Sequence, residues 1–508
     1  MNINKMLFQG KRAWLTSLIG GLMLPLAFAP FGIWPLIFVS LAIFFYALVD
    51  VTPKTAFVRA WIFGLGMFGF GASWVVVSMH YYGGIGIPLA TILTSIFVMF
   101  LALFPGVLAW FSRRGYTLLG QRRGMFLILI LPILWVFFEW IRSWVLTGFP
   151  WLNLGYSQID SPLLGYAPVL GVYGISLVTA FTTGLILHSI LERSTLKRNI
   201  AVLAALWLVP LGFNLVDWST PTGNPITVSM IQGNIPQDQK WLPSNQRPQL
   251  DMYAQLSREN WTSDLVIWPE TAVPALYEQA LPYLNYIGQE ARMNNSELLV
   301  GIPVFNDQDN QYFNAMLSLG NEEAFYEKKH LVPFGEYLPM AGLLGGFIDF
   351  FDIPMSNFSP GRSEKPILHV AGQKAGISIC YEDAFGEEII DALPEATFLV
   401  NASNDAWFGR SVAPHQHLEI ARMRAVETAR FLLRSTNTGI SAVIDPQGKV
   451  VAQSPQFKRD VLTHTIQPMQ GASIYAIFGN IPIVSFLFIA LFGTLTYQWY
   501  QKRDSEQN

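Results

Sequence analysis

Apolar runs as long as a membrane span are the feature that most constrains this chain. The hydrocarbon core of a bilayer is about 30 Å thick, and a helix needs roughly 20 apolar residues to cross it. Seven such runs precede residue 216 and an eighth follows residue 480, at positions 13–30, 31–49, 57–79, 86–111, 125–145, 164–190, 199–215 and 481–500. The sequence therefore predicts an α-helical transmembrane bundle of about eight spans. The composition agrees, because 52% of the residues are hydrophobic and only 13% are charged.

The loops between these runs carry a charge asymmetry that predicts their orientation. Loops rich in lysine and arginine stay on the cytoplasmic side. Here the basic residues fall in every second loop, as Lys5, Lys11, Arg12, Lys54, Arg59, Arg113, Arg114, Arg122, Arg123, Arg193, Lys197, Arg198, Lys502 and Arg503. We therefore expect cytoplasmic N- and C-termini and an exterior segment 216–480. In a Gram-negative bacterium, the chain would lie in the inner membrane with this segment in the periplasm.

The exterior segment alternates β-rich and amphipathic stretches and is predicted to form a globular domain. Strands are predicted at Ile226–Gln232, Leu265–Trp268, Leu298–Val304, Phe313–Leu319, Ile367–Val370, Gly376–Cys380, Thr397–Val400 and Leu432–Ser435, with a hairpin at Ile440–Ala452. Helices are predicted near 246–260, 278–293, 385–392 and 415–431. This interleaving favours an α/β layered domain. The expected parts are a seven-helix transmembrane domain (1–215), an exterior domain (216–480), and a C-terminal helix with a cytoplasmic tail (481–508).

Charge and cysteine content narrow the possible functions. The net charge is −3 and no basic patch is evident, so nucleic acid is not an expected partner. The single cysteine, Cys380, lies in the stretch AGISICYED. Strand alternation places Ile377 and Ile379 on one side and Ser378 and Cys380 on the other, which aims the thiol away from the isoleucine face. Free cysteines are often buried fillers, so these residues alone leave both a filler and a nucleophile open.

Two further stretches could supply a base and a cation for a reactive thiol. Glu270 follows the hydrophobic run LVIWP, which would hold it at a strand tip. Lys328 precedes a turn rich in proline and glycine in YEKKHLVPFGE, and Glu336 closes that stretch. Each carboxylate or lysine alone could equally be a solvated surface charge.

Taken together and in this order, the three stretches resemble the nitrilase superfamily, an αββα sandwich fold with a Glu–Lys–Cys triad. The combination of this domain with the apolar runs resembles the apolipoprotein N-acyltransferase family. So do the stretches FEW at 138–140, TGFPW at 147–151, QGNIPQ at 232–237 with Trp241, and NASNDAWFG at 401–409 with Trp407. The superfamily pattern leaves one residue between the lysine and His330, which selects Lys328 over Lys329.

The resemblance implies an acyltransferase that moves a fatty acyl chain from a phospholipid to the α-amino group of a diacylglyceryl-cysteine on an apolipoprotein. Cys380 would carry the chain as a thioester, with Glu270 as base and Lys328 as stabiliser of the oxyanion. The supporting residues it implies are Glu336, Tyr381 and Glu382, and the expected substrate-binding residues are Trp241, Trp407, Phe347, Phe350 and Phe351. The expected partners are the phospholipid, the lipoprotein and the bilayer; neither a cofactor nor a metal is expected, and the chain is expected to act as a monomer.

Two features stay open at this point. The apolar segment Met340–Phe358, which contains the three phenylalanines, is either a lid for lipid entry or ordinary packing. Glu139 and Arg142 lie near the outer end of a predicted span, where ionisable groups are costly, and they either serve function or form a structural pair.

The sequence also suggests functions other than acyl transfer. His415, His417 and Glu419 suggest a metal site only weakly, because the sequence offers no closed ligand set. A dyad of Cys380 and His415 would leave the Glu and Lys stretches unexplained. A membrane-tethered amidase or nitrile hydrolase could use the same triad with water as acceptor. A transporter or lipoprotein-binding module is the remaining alternative, although charges inside the spans are few.

Overall fold

The structure is a computed structural model that describes residues 8, 10–118, 122–337 and 358–507. It divides into two compact units. The first unit comprises the described residues up to Val75, Pro88–Asp217 and those from Phe478 onward, and the second comprises Val76–Ile87 and Trp218–Ile477. The segment Val76–Ile87 therefore groups with the later part of the chain, whereas the sequence had placed it within the range 1–215.

The first unit is built of helices. Its main helices are Gly10–Met23, Leu36–Ala47, Pro53–Gly71, Ile87–Leu118, Leu131–Arg142, Ala167–Leu191, Leu196–Phe213 and Ile481–Gln507. Within the described residues, four stretches are long and apolar enough to span a membrane, namely Ile87–Tyr116, Arg123–Arg142, Pro162–Leu191 and Arg193–Phe213. A fifth is present if Pro53–Gly71 and Val75–Tyr82, which meet at a 55° bend, form one span.

The predicted membrane bundle is thus supported at four or five spans, and this measure does not reach the expected eight. Prolines shorten the helices in the first two apolar runs, because a proline inside a helix removes a backbone hydrogen bond and clashes with the preceding turn. Leu24–Ala27 is a 3₁₀ turn containing Pro25, and Pro35 caps a helix of only 12 residues, Leu36–Ala47. These apolar helices therefore fall below the length of a full span.

The second unit contains fourteen strands in the described part of the chain. In order they are β1 Thr220–Pro221, β2 Ile226–Gln232, β3 Leu265–Ile267, β4 Glu297–Asn306, β5 Gln311–Leu319, β6 Glu323–Glu327, β7 Ile367–Val370, β8 Gln373–Ile379, β9 Phe398–Ser403, β10 Leu432–Thr436, β11 Ala442–Ile444, β12 Val450–Gln453, β13 Asp460–Ile466 and β14 Met469–Gln470. One six-stranded sheet has the order β13-β2-β3-β4-β5-β6 and the other has the order β12-β11-β10-β9-β8-β7. Each sheet has three parallel strands at its centre, β2-β3-β4 in one and β10-β9-β8 in the other.

The two sheets pack face to face, with helices on both outer faces. Side chains such as Met230 and Ile267 from one sheet share a buried core with Ile377 and Val400 from the other. The outer face of the first sheet packs on helices Pro243–Arg258 and Tyr277–Met293. The outer face of the second packs on Gly386–Ile390 and Ala413–Thr428. The αββα sandwich expected from the sequence is therefore confirmed.

Candidate active site

The residues expected to do chemistry follow directly on strand ends. Glu270 lies three residues beyond β3, Lys328 comes directly after β6, and Cys380 comes directly after β8. Asp405 similarly begins a short turn two residues beyond β9. The core of the strands can therefore be apolar while their ends carry the polar groups.

Cys380 is the first residue of a 3₁₀ turn, Cys380–Ala384, and has a left-handed backbone with φ of 54°. The prediction that strand alternation continues through Cys380 is wrong, because β8 ends at Ile379. Ile377, Ile379 and Cys380 all lie in the core between the sheets. A left-handed backbone costs a residue other than glycine about 1–2 kcal/mol. The surrounding contacts must therefore hold Cys380 in this conformation.

Lys328 lies between two carboxylates. Its Nζ is 3.5 Å from Oε1 of Glu270 and 2.9 Å from the carboxylate of Glu336. Lys328 is only 1% exposed and Glu270 is 6% exposed. Burial alone would lower the pKa of Lys328, but Glu336 and Glu270 outweigh it and raise that pKa above its ordinary value. The lysine therefore keeps its positive charge inside the protein.

The thiol of Cys380 is coupled to the same charges. Burial, followed by the negative charge of Glu270, raises the pKa of Cys380 well above its ordinary value, and Lys328 opposes this rise. The cysteine accordingly rests as a thiol rather than a thiolate. It needs a base at the moment of attack, and Glu270 is the carboxylate whose charge it feels most.

Asn314 is a site residue that the sequence reasoning missed. Its Nδ2 donates to Oε1 of Glu270 at 2.8 Å and to Oε1 of Glu336 at 3.0 Å, so one amide fixes both carboxylates. Glu336 also accepts from the backbone N–H of Val332 at 2.8 Å. An amide side chain in the buried part of strand β5 was the signal that could have revealed Asn314.

Glu382 ties the Cys380 turn to the segment after Lys328. Its Oε2 accepts from the N–H of Ile379 at 2.7 Å, and its Oε1 accepts from the N–H groups of Lys329 at 2.7 Å and His330 at 3.1 Å. Oε1 also accepts from the hydroxyl of Tyr326 at 2.9 Å. Burial raises the pKa of Glu382 to about 7, against the effect of Lys328 and these N–H donors. The carboxylate thus aligns two catalytic segments without facing solvent.

The expected substrate-binding residues have different outcomes. Trp241 is half-buried and follows Lys240. Lys240 is a buried lysine that the sequence reasoning missed. Its Nζ lies 3.3 Å from the backbone oxygen of Glu270, and burial lowers the pKa of Lys240 to about 8. The carbonyl of Trp407 accepts from Ser78 Oγ at 2.7 Å, and its ring packs edge-on against Tyr82. Tyr381 packs within the Cys380 turn against Phe385 and His330. Phe347, Phe350 and Phe351 lie outside the described residues, as does nearly all of the segment Met340–Phe358.

Glu139 and Arg142 lie in the first unit and fix the chain that follows their helix. Oε1 of Glu139 accepts from the N–H of Leu154 at 2.8 Å. Arg142 donates to the carbonyl of Phe149 and to the side chain of Asn153, both at 2.7 Å. These contacts fold residues 149–154 against the helix end, which favours the structural interpretation of the two ionisable residues.

An αββα sandwich that brings a carboxylate, a buried lysine and a thiol together defines the class of carbon–nitrogen hydrolase-type enzymes, here joined to a helical membrane unit. The comparisons agree with this class. The carbon-nitrogen hydrolase family model matches residues 227–475, and the model of the apolipoprotein N-acyltransferase N-terminal domain matches residues 20–185.

Relatives that match nearly the whole chain give the family. The apolipoprotein N-acyltransferase of Methylococcus capsulatus is 45% identical over 477 residues, covering 93% of this chain and 94% of its own. That of Coxiella burnetii is 40% identical, covering 94% and 98%. This chain belongs to the apolipoprotein N-acyltransferase family. Among solved structures, Saccharomyces cerevisiae Nit3, a member of branch 10 of the nitrilase superfamily, is 18% identical with a TM-score of 0.37 and covers 52% of this chain and 97% of its own; similarity of this degree supports no conclusion about activity.

Proposed function

We propose that this protein transfers a fatty acyl chain from a phospholipid to the α-amino group of the diacylglyceryl-cysteine of apolipoproteins, through a thioester on Cys380. Membership of the family makes the chain an acyltransferase of lipoprotein maturation, with a lipid donor and a lipoprotein acceptor. The residues and steps that follow are our proposal for how the chain performs that reaction.

The first half of the reaction loads the cysteine. Glu270 accepts the thiol proton while the sulfur of Cys380 attacks the ester carbonyl of the phospholipid. Lys328 and the backbone N–H of Tyr381 stabilise the negative oxygen that forms. The lysophospholipid leaves as its oxygen takes the proton back from Glu270. The products are a lysophospholipid with a free hydroxyl group and an acyl thioester on Cys380.

The second half transfers the chain to nitrogen. The α-amine of the lipoprotein gives a proton to Glu270 and attacks the thioester carbonyl. The amide forms, the C–S bond breaks, and the thiol of Cys380 regains the proton from Glu270. A thioester suits this step because amines attack it more readily than an oxygen ester.

The single observation that carries this proposal is the position of Lys328 between Glu270 and Glu336 beside a buried thiol. A cation held in place before the substrate arrives can stabilise an oxyanion without reorganising. Trp241, Trp407, Phe347, Phe350 and Phe351 are proposed to bind substrate, and the segment Met340–Phe358 is either a lid for lipid entry or ordinary packing.

The proposed topology has eight spans, with residues 1–215 and 481–508 in the membrane part and residues 216–480 in the periplasm. Both termini are proposed to be cytoplasmic, and the chain to act as a monomer in the inner membrane. The alternation of basic loops supports this orientation.

Mass analysis of the full-length protein after incubation with phospholipid tests the proposal. We expect one acyl adduct on Cys380, released when a diacylglyceryl lipopeptide is added, and neither adduct nor product with Cys380→Ala. Active enzyme without an adduct would contradict the thioester. Release of ammonia from small amides, without acylation of the lipopeptide, would favour the amidase instead.

A further inference from the structure

Four charged residues lie buried directly behind Cys380. They are Asp383, Asp405, His417 and Arg434, and each is at most 1% exposed. They come from four elements: the Cys380 turn, the turn after β9, helix Ala413–Thr428 and strand β10. We call them the buried charge cluster. None of them takes part in the reaction steps described above.

The histidine and the arginine of the cluster each contact both aspartates. Nε2 of His417 lies 2.8 Å from Asp383 and its Nδ1 lies 3.1 Å from Asp405. Arg434 pairs with Asp383 at 3.3 Å and with Asp405 at 2.9 Å. Asp383, Asp405 and Arg434 are the charged groups that raise or lower the pKa of His417 most.

The cluster reaches Cys380 through the backbone oxygen of that residue. His417 Nε2 lies 3.2 Å from this oxygen, and Nδ2 of Asn401 donates to it at 3.1 Å. Asn401 is in turn fixed by Arg434, which donates to its side-chain oxygen at 2.8 Å. Two side chains therefore hold the carbonyl of Cys380, whose left-handed backbone needs support.

Charge balance defines the protonation state of His417. Asp383 and Asp405 supply two negative charges and Arg434 supplies one positive charge, so a neutral imidazole would leave an unpaired negative charge in the core. An unpaired buried charge costs several kcal/mol. Burial and Arg434 lower the pKa of His417, but Asp383 and Asp405 outweigh them and raise it above its ordinary value.

One contact argues the other way. Nη2 of Arg434 lies 2.8 Å from Nδ1 of His417, where two donors would meet if the ring were charged. Nδ1 is also close to the carboxylate of Asp405, and the lone pair of an unprotonated Nδ1 would repel that carboxylate. We assign the charged ring because it neutralises the second carboxylate, whereas the contact with Arg434 favours the neutral ring, and the pH profile separates the two states.

We propose that His417 is a positioning residue that acts as an imidazolium, holding Cys380 in its left-handed conformation and keeping the buried charge cluster neutral. When His417 loses its proton, the carbonyl of Cys380 loses a charged donor and an uncompensated negative charge lies behind the thiol. Formation of the acyl thioester then falls. This inference rests on the proposed role of Cys380 as nucleophile.

The direction of the pH dependence follows from the raised pKa. Positioning is complete while His417 is protonated, which extends above the ordinary range of an imidazole. It is lost as the pH rises through the raised pKa in the folded protein. Formation of the acyl thioester should therefore have a falling alkaline limb that belongs to His417. Alkylation of Cys380, which follows the thiolate fraction, should rise less steeply with pH above the same point.

The single cysteine makes this measurable in the full-length protein, because a thiol reagent reports on Cys380 alone. We would measure the rate of acyl-thioester formation with phospholipid and the rate of alkylation by iodoacetamide, from about pH 6 to about pH 9. His417→Gln keeps an N–H donor but no charge. We expect it to lower thioester formation by roughly 10² and to remove the alkaline limb. His369→Gln is the control, since His369 is exposed on strand β7 and away from the cluster, and it should retain the profile of the wild type.

Two further variants separate the effect of the charge of His417 from the effect of its side-chain shape. Asp383→Asn with His417→Gln restores neutrality and should recover most of the loss seen in His417→Gln. Asp383→Asn alone keeps the histidine but removes one carboxylate, so the alkaline limb should move to lower pH. The second variant also covers the case in which His417→Gln fails to fold.

An unchanged pH profile in His417→Gln, an unmoved limb in Asp383→Asn, or a double variant no better than the single one would each overturn the proposal. The alkylation rates do not depend on any acyl donor. If no thioester forms on Cys380 although alkylation follows the predicted profile, the proposed reaction fails while the positioning role of His417 stands.

Discussion

At the residue scale, the site depends on a lysine that stays charged although it is almost fully buried. Two carboxylates provide the compensation, and Asn314 keeps both in place. Its neighbour Lys329 has a different environment, because its Nζ donates to the backbone oxygen of Glu364 at the surface, at 3.3 Å. Two adjacent lysines therefore differ in burial and in the charged groups that they contact.

Replacement of these two lysines gives a matched prediction. Lys328→Met should lower the rate of acyl transfer by about 10² to 10³, because the oxyanion loses its cation. Lys329→Met should leave the rate within about threefold, since its backbone N–H to Glu382 remains. Rates with phospholipid and lipopeptide measure both. Equal losses in the two variants would contradict the choice of Lys328.

At the element scale, close backbone contacts set the position of the catalytic strand ends. Gly301 lies on β4 beside the segment after β3, and a Cβ there would come within 2.3 Å of the oxygen of Pro269 and 2.7 Å of the Cα of Glu270. Contacts this short force the backbone to move. The glycine therefore determines how close the Glu270 segment lies to the sheet.

Gly301→Ala should consequently displace Glu270 and lower the rate of acyl transfer by roughly 10². The control is Gly288→Ala on helix Tyr277–Met293, where the added Cβ would sit 3.4 Å from Leu319. That variant should keep its activity and gain up to about 1 kcal/mol in helix stability. Acyl-transfer rates and thermal midpoints in detergent distinguish the two, and a fully active Gly301→Ala would disprove the close-contact argument.

The elements also show what a sequence can reveal. Most strands were predictable because each is a short, largely apolar run bounded by turns. The bounds of Ile226–Gln232 and of the edge strand Ile367–Val370 agree residue for residue. The strands β6 and β13 were missed because polar residues interrupt them. The turn at Cys380 was missed because its φ depends on contacts from Asn401 and His417, which are remote in the chain. Likewise, Lys240 looks like a surface lysine until burial is known.

At the scale of the whole molecule, a short segment from between the apolar runs belongs to the enzymatic unit. Val76–Ile87 groups with Trp218–Ile477, and Ser78 and Tyr82 both contact Trp407. The sequence did not show this, because residues 76–79 continue an apolar run and residues 80–85 resemble a short loop between two runs. The boundary between the two compact units therefore does not coincide with a single position along the sequence.

Labelling tests the proposed orientation of the whole chain. Cys380→Ala leaves no cysteine, so a single new cysteine can be assigned without ambiguity. In intact spheroplasts, an impermeant maleimide should label Gln308→Cys, which lies in an exposed turn, and should leave Lys197→Cys unlabelled until the membrane is opened. The reverse pattern would contradict a periplasmic position for residues 216–480.

The arrangement of Lys328 between Glu270 and Glu336 also bears on turnover. One cation between two anions leaves the site with a surplus negative charge, which attracts an ammonium group and is indifferent to a neutral amide. The ammonium form of the acceptor is drawn in, loses one proton to bulk solvent to become the amine that attacks, and departs as an uncharged amide, so the attraction disappears once the bond is made. Product release is thereby favoured by the same electrostatics that recruits the substrate.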